Sequence, residues 1–369
     1  MASLLISDQT IQQNSRAVDQ PFRLGHRPAL DGLRAIAVLV VMAHHGYVPL
    51  FRGGSIGVDI FFVLSGFLIT SLLLEEWDRT EGISFRKFYL RRVLRLLPAL
   101  LLLLFFVEVY ALVVLRGPRL WEMQRAILAV LFYASNWFSI ARPDGLGSLA
   151  HAWSLSIEEQ FYLLWPPLLF LLLRSRLRMS LIGAVIVLLA AVAAVHRAFV
   201  WTGPESVWRI YNGLDTRIDE LLAGCGLAAA LAARWINLDT LRTWVRYSYL
   251  PSLAFTLYLV VRPLPWHIMS TVGWPAVEFC AVTILYRLMA WEKTWLHRLL
   301  EFQPLVWIGR LSYGLYLWHY PIFEKIGGWR SLGVLVIPVA FALTFSVATL
   351  SFYFVETPFL RLKSRFQGA

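Results

Sequence analysis

In LDGLRAIAVLVVMAHHGY, residues 30–47, Arg34 and His45 stand eleven residues apart in an otherwise apolar run. On a helix, at ~100° per residue, that spacing is about three turns plus 20°, so both side chains share a face roughly 16 Å apart along the axis. Asp31 falls near the same stripe. A cation and an imidazole on one face of an apolar helix suit a polar cavity. Ionisable groups at bilayer depth are costly and tend to face a cavity or a partner. The plainer alternative is an arginine that snorkels to one interface and a histidine that lies at the other. His44 points ~100° away from His45, off the face that carries Arg34.

Other stretches offer further groups. RGGSIGVDIFFVLSGFLIT, 52–70, combines Gly53, Gly54 and Gly57, which permit close backbone approach, with Asp59 just inside an apolar run. FYLRRVLRLLP, 88–98, carries Arg91, Arg92 and Arg95; arginine forks match phosphate oxygens and suit a polyanion such as a coenzyme tail, while a basic anchor at lipid headgroups is the alternative. HAWSLSIEEQFYLLWPP, 151–167, holds His151 and the adjacent Glu158 and Glu159, of which only one can easily face a shared cavity. Such a carboxylate would orient an imidazole or take a proton, unless the two acids only favour a helix start. LDTRIDELLAG, 214–224, with Asp215, Arg217, Asp219 and Glu220, reads either as an internal ion-pair network or as a sugar-binding rim. WIGRLSYGLYLWHYP, 307–321, is aromatic like an interfacial belt and places His319 at its edge, and FVETPF brings Glu356 close to the basic cluster.

The elements that must position these groups are apolar helices. The 369-residue chain is 58% hydrophobic and 15% charged, with a mean hydropathy of +0.62, more apolar than a soluble protein of this length needs. This predicts an all-α, polytopic transmembrane bundle. Apolar spans centre on 30–49, 56–75, 93–115, 155–173, 179–198, 214–233, 245–262, 271–290, 306–326 and 331–355. The net charge of +11 is explained by basic loops on the cytoplasmic side rather than by nucleic acid. With Arg16, Arg23 and Arg27, the 86–95 group, Arg174–Arg178, Arg234–Arg246, Lys293–Arg298 and Arg361–Arg365 all inside, ten spans thread the chain with both termini cytoplasmic. The segment 124–140 then does not cross, and lies re-entrant or in the interface. The expected organisation is a cytoplasmic segment over 1–27, a membrane domain over 28–360 and a cytoplasmic tail over 361–369. Residues 1–27 lack a secretory signal, and Cys225 and Cys280 sit in apolar segments, so neither a disulfide framework nor a metal site is expected. Threading puts Arg34, the 86–95 arginines and Glu356 at the cytoplasmic side, and His45, Asp59, His151, Glu158, Arg217, Asp219 and His319 in the outer half.

Taken in order, DGLRAIAVLVVMAHH, GVDIFFVLSGFLIT, RRVLRLLP, WSLSIEEQFYL, WIGRLSYGLYLWHYPI and a closing ETP resemble the acyltransferase type 3 family over 28–360. These are bacterial integral membrane enzymes of about ten helices. The resemblance implies transfer of an acyl group, usually acetyl from acetyl-CoA, to a hydroxyl of a cell-envelope glycan such as O-antigen or exopolysaccharide, or of a secondary metabolite such as a macrolide. The family's arginine–histidine pair falls on Arg34 and His45, its arginine-rich motif on Arg91, Arg92 and Arg95, and its serine–acidic motif on Ser156, Glu158 and Glu159. The expectation is therefore that Arg34, Arg91, Arg92 and Arg95 hold the coenzyme phosphates. His45 would serve as general base or acyl carrier, with Glu158 orienting it. Asp59, His151, Arg217, Asp219 and His319 would meet the acceptor. Acyl-CoA, a hydroxyl-bearing acceptor and membrane lipid would be the partners, and the bacterial inner membrane the location. Some relatives carry a C-terminal hydrolase-like domain; ending soon after Glu356, this chain resembles the stand-alone subtype. The rival class is a transporter or flippase. A polyprenyl-phosphate glycosyltransferase is a weaker rival, because no acidic divalent-metal motif stands in a cytoplasmic loop.

Overall fold

The computed structural model describes residues 23–233, 238–289, 293–328 and 330–364, with the side chains of 238–242, 330–332, 363 and 364 excepted. Most of the expected terminal segments, 1–22 and 365–369, lie outside the described residues, as do Arg16, Arg234 and Arg365. Among the described residues the secondary structure is helical throughout, without a strand. In chain order the helices are α1 (Pro28–His45), α2 (Ile56–Thr80), α3 (Phe85–Val114), α4 (Pro118–Leu131), α5 (Ser135–Ala141), α6 (Trp153–Arg174), α7 (Met179–Val200), α8 (Val207–Asn212), α9 (Leu214–Ala232), α10 (Leu238–Val261), α11 (Trp266–Met289), α12 (Trp295–Leu300), α13 (Gln303–Gly327), α14 (Val336–Leu350) and α15 (Thr357–Ser364).

Among the described residues, five helical stretches are long and apolar enough to cross a bilayer: α2, α3, α7, α11 and the stretch Gly333–Leu362 around α14. Several of the remaining long helices owe their lower hydropathy to the groups of interest here. α1 carries Asp31 and Arg34, α6 carries Glu158 and Glu159, and α9 carries Asp215, Arg217, Asp219 and Glu220. Ionisable residues in apolar helices turn inward to find partners; Arg217, Asp219 and Glu220 are fully buried, while Asp31, Arg34, Glu158, Glu159 and Asp215 are half-buried.

α2 is the central element. Its most apolar stretch is 72% buried, against 33% for α3, 28% for α7 and 17% for the stretch around α14. The apolar side chains left exposed on those outer helices, such as Phe105, Val187 and Leu343, form the surface that would meet lipid. α2 is packed against α9 at backbone distance. A Cβ added at Gly66 would fall 1.8 Å from the Leu221 carbonyl oxygen, and one at Gly224 would fall 1.9 Å from that of Val63. Only glycine permits that approach.

The direction of neighbouring helices follows from who meets whom. Along α1 and α13, Asp31 meets Gly309, Arg34 meets Ser312, His45 meets His319 and Gly46 meets Phe323, so the two helices run parallel. Along α2 and α6, Ser65 meets Glu158 and Thr70 meets Trp165, again parallel. α2 and α3 form a hairpin closed by the Arg91–Glu76 contact. The chain between α3 and α6 therefore begins and ends at one end of the bundle. It contains α4 and α5, broken at Tyr133 with φ 51°. At ~1.5 Å per residue the 14-residue α4 is about 21 Å long, shorter than the roughly 30 Å of a bilayer's hydrocarbon core.

Candidate active site

Two cavities flank the α1–α13 contact. The inner one, about 230 Å³, is lined by Arg34 from α1, Arg92 and Arg95 from α3, and Glu158 from α6. The outer one, about 520 Å³, is lined by His44, His45, Tyr320 and the turn that joins α1 to α2.

Arg34 is held in the inner cavity by a hydrogen bond from Nε to the Ser312 hydroxyl (3.2 Å). The Arg92 guanidinium lies over the Tyr162 ring at 3.3 Å, and Tyr162 and Ser65 both bond to the Glu158 carboxylate. Three guanidiniums thus line one small space together with the Glu158 carboxylate, a set of donors suited to a polyanion. The arginine motif divides in the structure. Arg92 and Arg95 enter this cavity, whereas Arg91 turns toward Glu76 (3.6 Å).

At the outer end, His45 and His319 are joined through Nδ1 and Nε2 (2.9 Å). The other nitrogen of His319, Nδ1, lies 2.7 Å from the Tyr316 carbonyl. A carbonyl only accepts, which assigns the proton to His319 Nδ1, leaves its Nε2 as acceptor and makes His45 Nδ1 the donor. His45 Nε2 is then left with a free lone pair on a ring that lines the outer cavity. This is the arrangement a general base requires. His44 also lines that cavity, its Nδ1 donating to the Phe51 carbonyl (3.2 Å), but it has no bond to His319.

Between the cavities stands a buried partition. The Tyr316 side chain lines the inner cavity, donates to the His151 carbonyl (2.9 Å) and pairs with the Ser154 hydroxyl (2.6 Å). His151, on the turn before α6, stacks on Tyr320 at 5.3 Å and packs 5.3 Å from His319. Burial, reinforced by the neighbouring His45 and opposed by the Leu317 carbonyl, pushes the His151 imidazole down to about 3, so it is neutral near pH 7. Pro321 lacks an N–H, which frees that same Leu317 carbonyl within α13.

Several expected placements change. Glu158 was expected in the outer half, orienting His45; it lies instead with Arg34, Arg92 and Arg95, and His319 holds the imidazole. The reason is depth: α6 runs parallel to α2, so Glu158 reaches Ser65 rather than the end of α1. Asp59, Arg217 and Asp219, expected to meet an acceptor, are enclosed away from both cavities. Arg217 is fully buried, paired with Asp59 and Glu220 (2.9 Å) and enclosed by Trp274, Tyr211 and Trp153. Arg197, equally buried, pairs with Asp219 and reaches Glu278 at 4.0 Å. Of the two readings the sequence left open, this is the internal ion-pair network. Asp219, Glu220 and Glu278 lie close enough to share a cation, and each already faces a guanidinium, Asp219 and Glu278 that of Arg197 and Glu220 that of Arg217.

Ser312, Tyr316, Ser65 and Tyr162 were not anticipated. The first two had a signal: with His319 they stand at spacings of four and three, a single stripe on α13. Arg197, beside His196 near the end of the apolar run 179–198, was equally visible.

A family described as an acyltransferase domain, that of the type 3 acyltransferases, matches residues 27–356. The peptidoglycan O-acetyltransferase OatA of Listeria monocytogenes is 32% identical over 350 residues, covering 90% of this chain and 55% of OatA. YrhL of Bacillus subtilis, provisionally named for the same activity, is 37% identical over 349 residues, covering 90% of this chain and 54% of YrhL. A Staphylococcus aureus protein provisionally named an O-acetyltransferase is 34% identical over 351 residues, covering 91% and 58% of the two chains. The chain thus spans about half the length of the curated relatives it matches. No solved structure matches it. With the family motifs spread along one continuous match and several helices apolar enough to span a bilayer, the chain is a multi-pass membrane protein and belongs to the acyltransferase type 3 family.

Proposed function

We propose that the protein is a membrane-embedded O-acyltransferase of the bacterial cytoplasmic membrane. It moves an acyl group, acetyl by the names of its relatives, from cytoplasmic acyl-CoA to a hydroxyl of an envelope glycan on the outer side. The observation that carries this reading is the pair of cavities on one helix contact: convergent arginines at one end of α1 and a base with a free nitrogen at the other.

Arg34, Arg92 and Arg95 hold the phosphates of the donor, and the thioester arm extends along α1 past Tyr316. An acceptor hydroxyl enters the outer cavity and gives its proton to His45 Nε2. The oxygen attacks the thioester carbonyl, the C–S bond breaks, and the imidazolium returns the proton to the departing thiolate. His319 stabilises the imidazolium by accepting from His45 Nδ1. Because His45 lines the outer cavity and not the inner one, it acts as base on the acceptor rather than as carrier of the acyl group. Ten crossings with both ends cytoplasmic complete the reading. Parallel α1 and α13 are then the first and ninth crossings, and parallel α2 and α6 the second and fourth.

The test is thiol release from acetyl-CoA by the purified protein with a peptidoglycan acceptor. A transporter would release none. Arg92→Ala and Arg95→Ala should each weaken acetyl-CoA binding by ~10- to 100-fold, the worth of a charge-assisted contact. Arg91→Ala should cost far less, since Arg91 faces Glu76. Equal losses at all three positions would make them a common basic anchor rather than a donor site.

A further inference from the structure

One wall of the outer cavity carries an exposed guanidinium with no protein partner among the described residues. Arg52 lies on the turn between α1 and α2, lines the cavity beside His44 and His45, and forms no side-chain ion pair or hydrogen bond among the described residues. The other charged group on that wall, Glu324, is already answered by Lys325 at 3.4 Å.

The turn that presents Arg52 is built rather than loose. The Gly53 N–H donates to the Val260 carbonyl (2.8 Å), and the Phe51 carbonyl meets His44 Nδ1 (3.2 Å). A Cβ at Gly54 would fall 2.4 Å from the Val40 carbonyl oxygen, so this backbone is pressed onto α1. The same cavity is lined by Tyr47, which is 91% exposed, and Tyr320, whose rings offer flat faces to the C–H face of a sugar. The cavity volume of about 520 Å³ lies within the range of roughly 300–1,000 Å³ usual for small-molecule sites.

We propose that Arg52 forms an anion subsite within the acceptor cavity, so that the acceptor is a glycan with a carboxylate or phosphate close to the hydroxyl that receives the acyl group. This rests on the reading of the outer cavity as the acceptor site. A guanidinium meets either anion through two parallel N–H donors, which fixes the orientation of the sugar as well as its affinity. His45 would then face one hydroxyl in particular.

The experiment measures binding by the purified full chain, so it does not depend on turnover. The probes are N,N′-diacetylchitobiose, the same disaccharide with a 3-O-lactyl carboxylate on its reducing sugar, and its 1-phosphate. Wild-type protein should bind one anionic probe ~10- to 100-fold more tightly than the neutral one, and which probe it is identifies the anion. In Arg52→Gln that preference should fall to within ~3-fold, and in Arg52→Lys it should return in part. Equal binding of all three probes by wild type, or a preference that survives Arg52→Gln, overturns the subsite. Thiol release is followed in parallel. Its absence beside an Arg52-dependent preference would overturn acyl transfer and leave the subsite standing. Intact release without the preference would overturn the subsite alone.

Discussion

A neutral imidazole offers one donor and one acceptor, and its surroundings decide which nitrogen is which. Here a backbone carbonyl on α13 makes that decision for His319, and His319 passes it to His45. His319→Ala should therefore reduce single-turnover transfer by ~10²- to 10⁴-fold, close to the loss in His45→Ala, while acetyl-CoA affinity stays within about threefold of wild type. His319→Gln keeps an amide oxygen able to accept from His45 Nδ1 and should recover part of the rate. His44→Ala should be milder, lowering transfer by less than ~10-fold, since its ring lies off the α1 face that carries Arg34 and His45 and makes no bond to His319. Single-turnover rates for the four variants decide the point. Equal losses in His44→Ala and His45→Ala would mean that the cavity wall, not one base, was disturbed.

The His45–His319 bond exists because two helices far apart in the chain approach closely and in register. A Cβ at Gly309 would fall 1.9 Å from the Asp31 carbonyl oxygen, and one at Gly32 would fall 2.0 Å from that of Leu300. Gly309→Val should force α13 away from α1, costing ~1–3 kcal/mol of stability by overpacking and separating both Arg34 from Ser312 and His45 from His319. A lowered melting temperature together with loss of both donor affinity and transfer is the expected result. The α2–α9 network should respond differently. Arg217→Ala leaves Asp59 and Glu220 buried without their cation, a loss of ~3–5 kcal/mol. Any protein recovered should melt at a lower temperature but bind acetyl-CoA as wild type does, because Arg217 lines neither cavity. A normal melting temperature with a changed acceptor KM would return Arg217 to the sugar-binding role.

At the scale of the molecule, the prediction is orientation. The two native cysteines are buried, Cys225 fully and Cys280 at 5% exposure, so single introduced cysteines can be labelled over a low background. An impermeant maleimide on intact cells should modify Tyr47→Cys and spare Arg176→Cys, with the reverse in inside-out vesicles. Labelling of Arg176→Cys from outside would mean that the chain between α3 and α6 crosses after all. The even spacing of basic loops and the parallel pairs α1–α13 and α2–α6 argue for the first result on independent grounds.

The sequence by itself determined the class and the membership. Apolar runs of near-bilayer length dictate helices wherever they occur, and Arg34 with His45 or Arg92 with Arg95 share a face by the period of the helix alone. The charge pattern of the loops also predicts, from sequence alone, that 124–140 does not cross. What the tertiary structure decided was every pairing between helices distant in sequence. The motifs point to Glu158 as the partner of His45 and to His319 as an acceptor contact; only the parallel packing of α6 on α2 and of α13 on α1 gives Glu158 to the arginines and His319 to the base. Arg217 could equally have lined a sugar site or a salt network, because a motif records which charges are near one another but not whether a cavity opens beside them. Depth and neighbours depend on how helices with hundreds of residues between them slide and turn, and no local spacing carries that information.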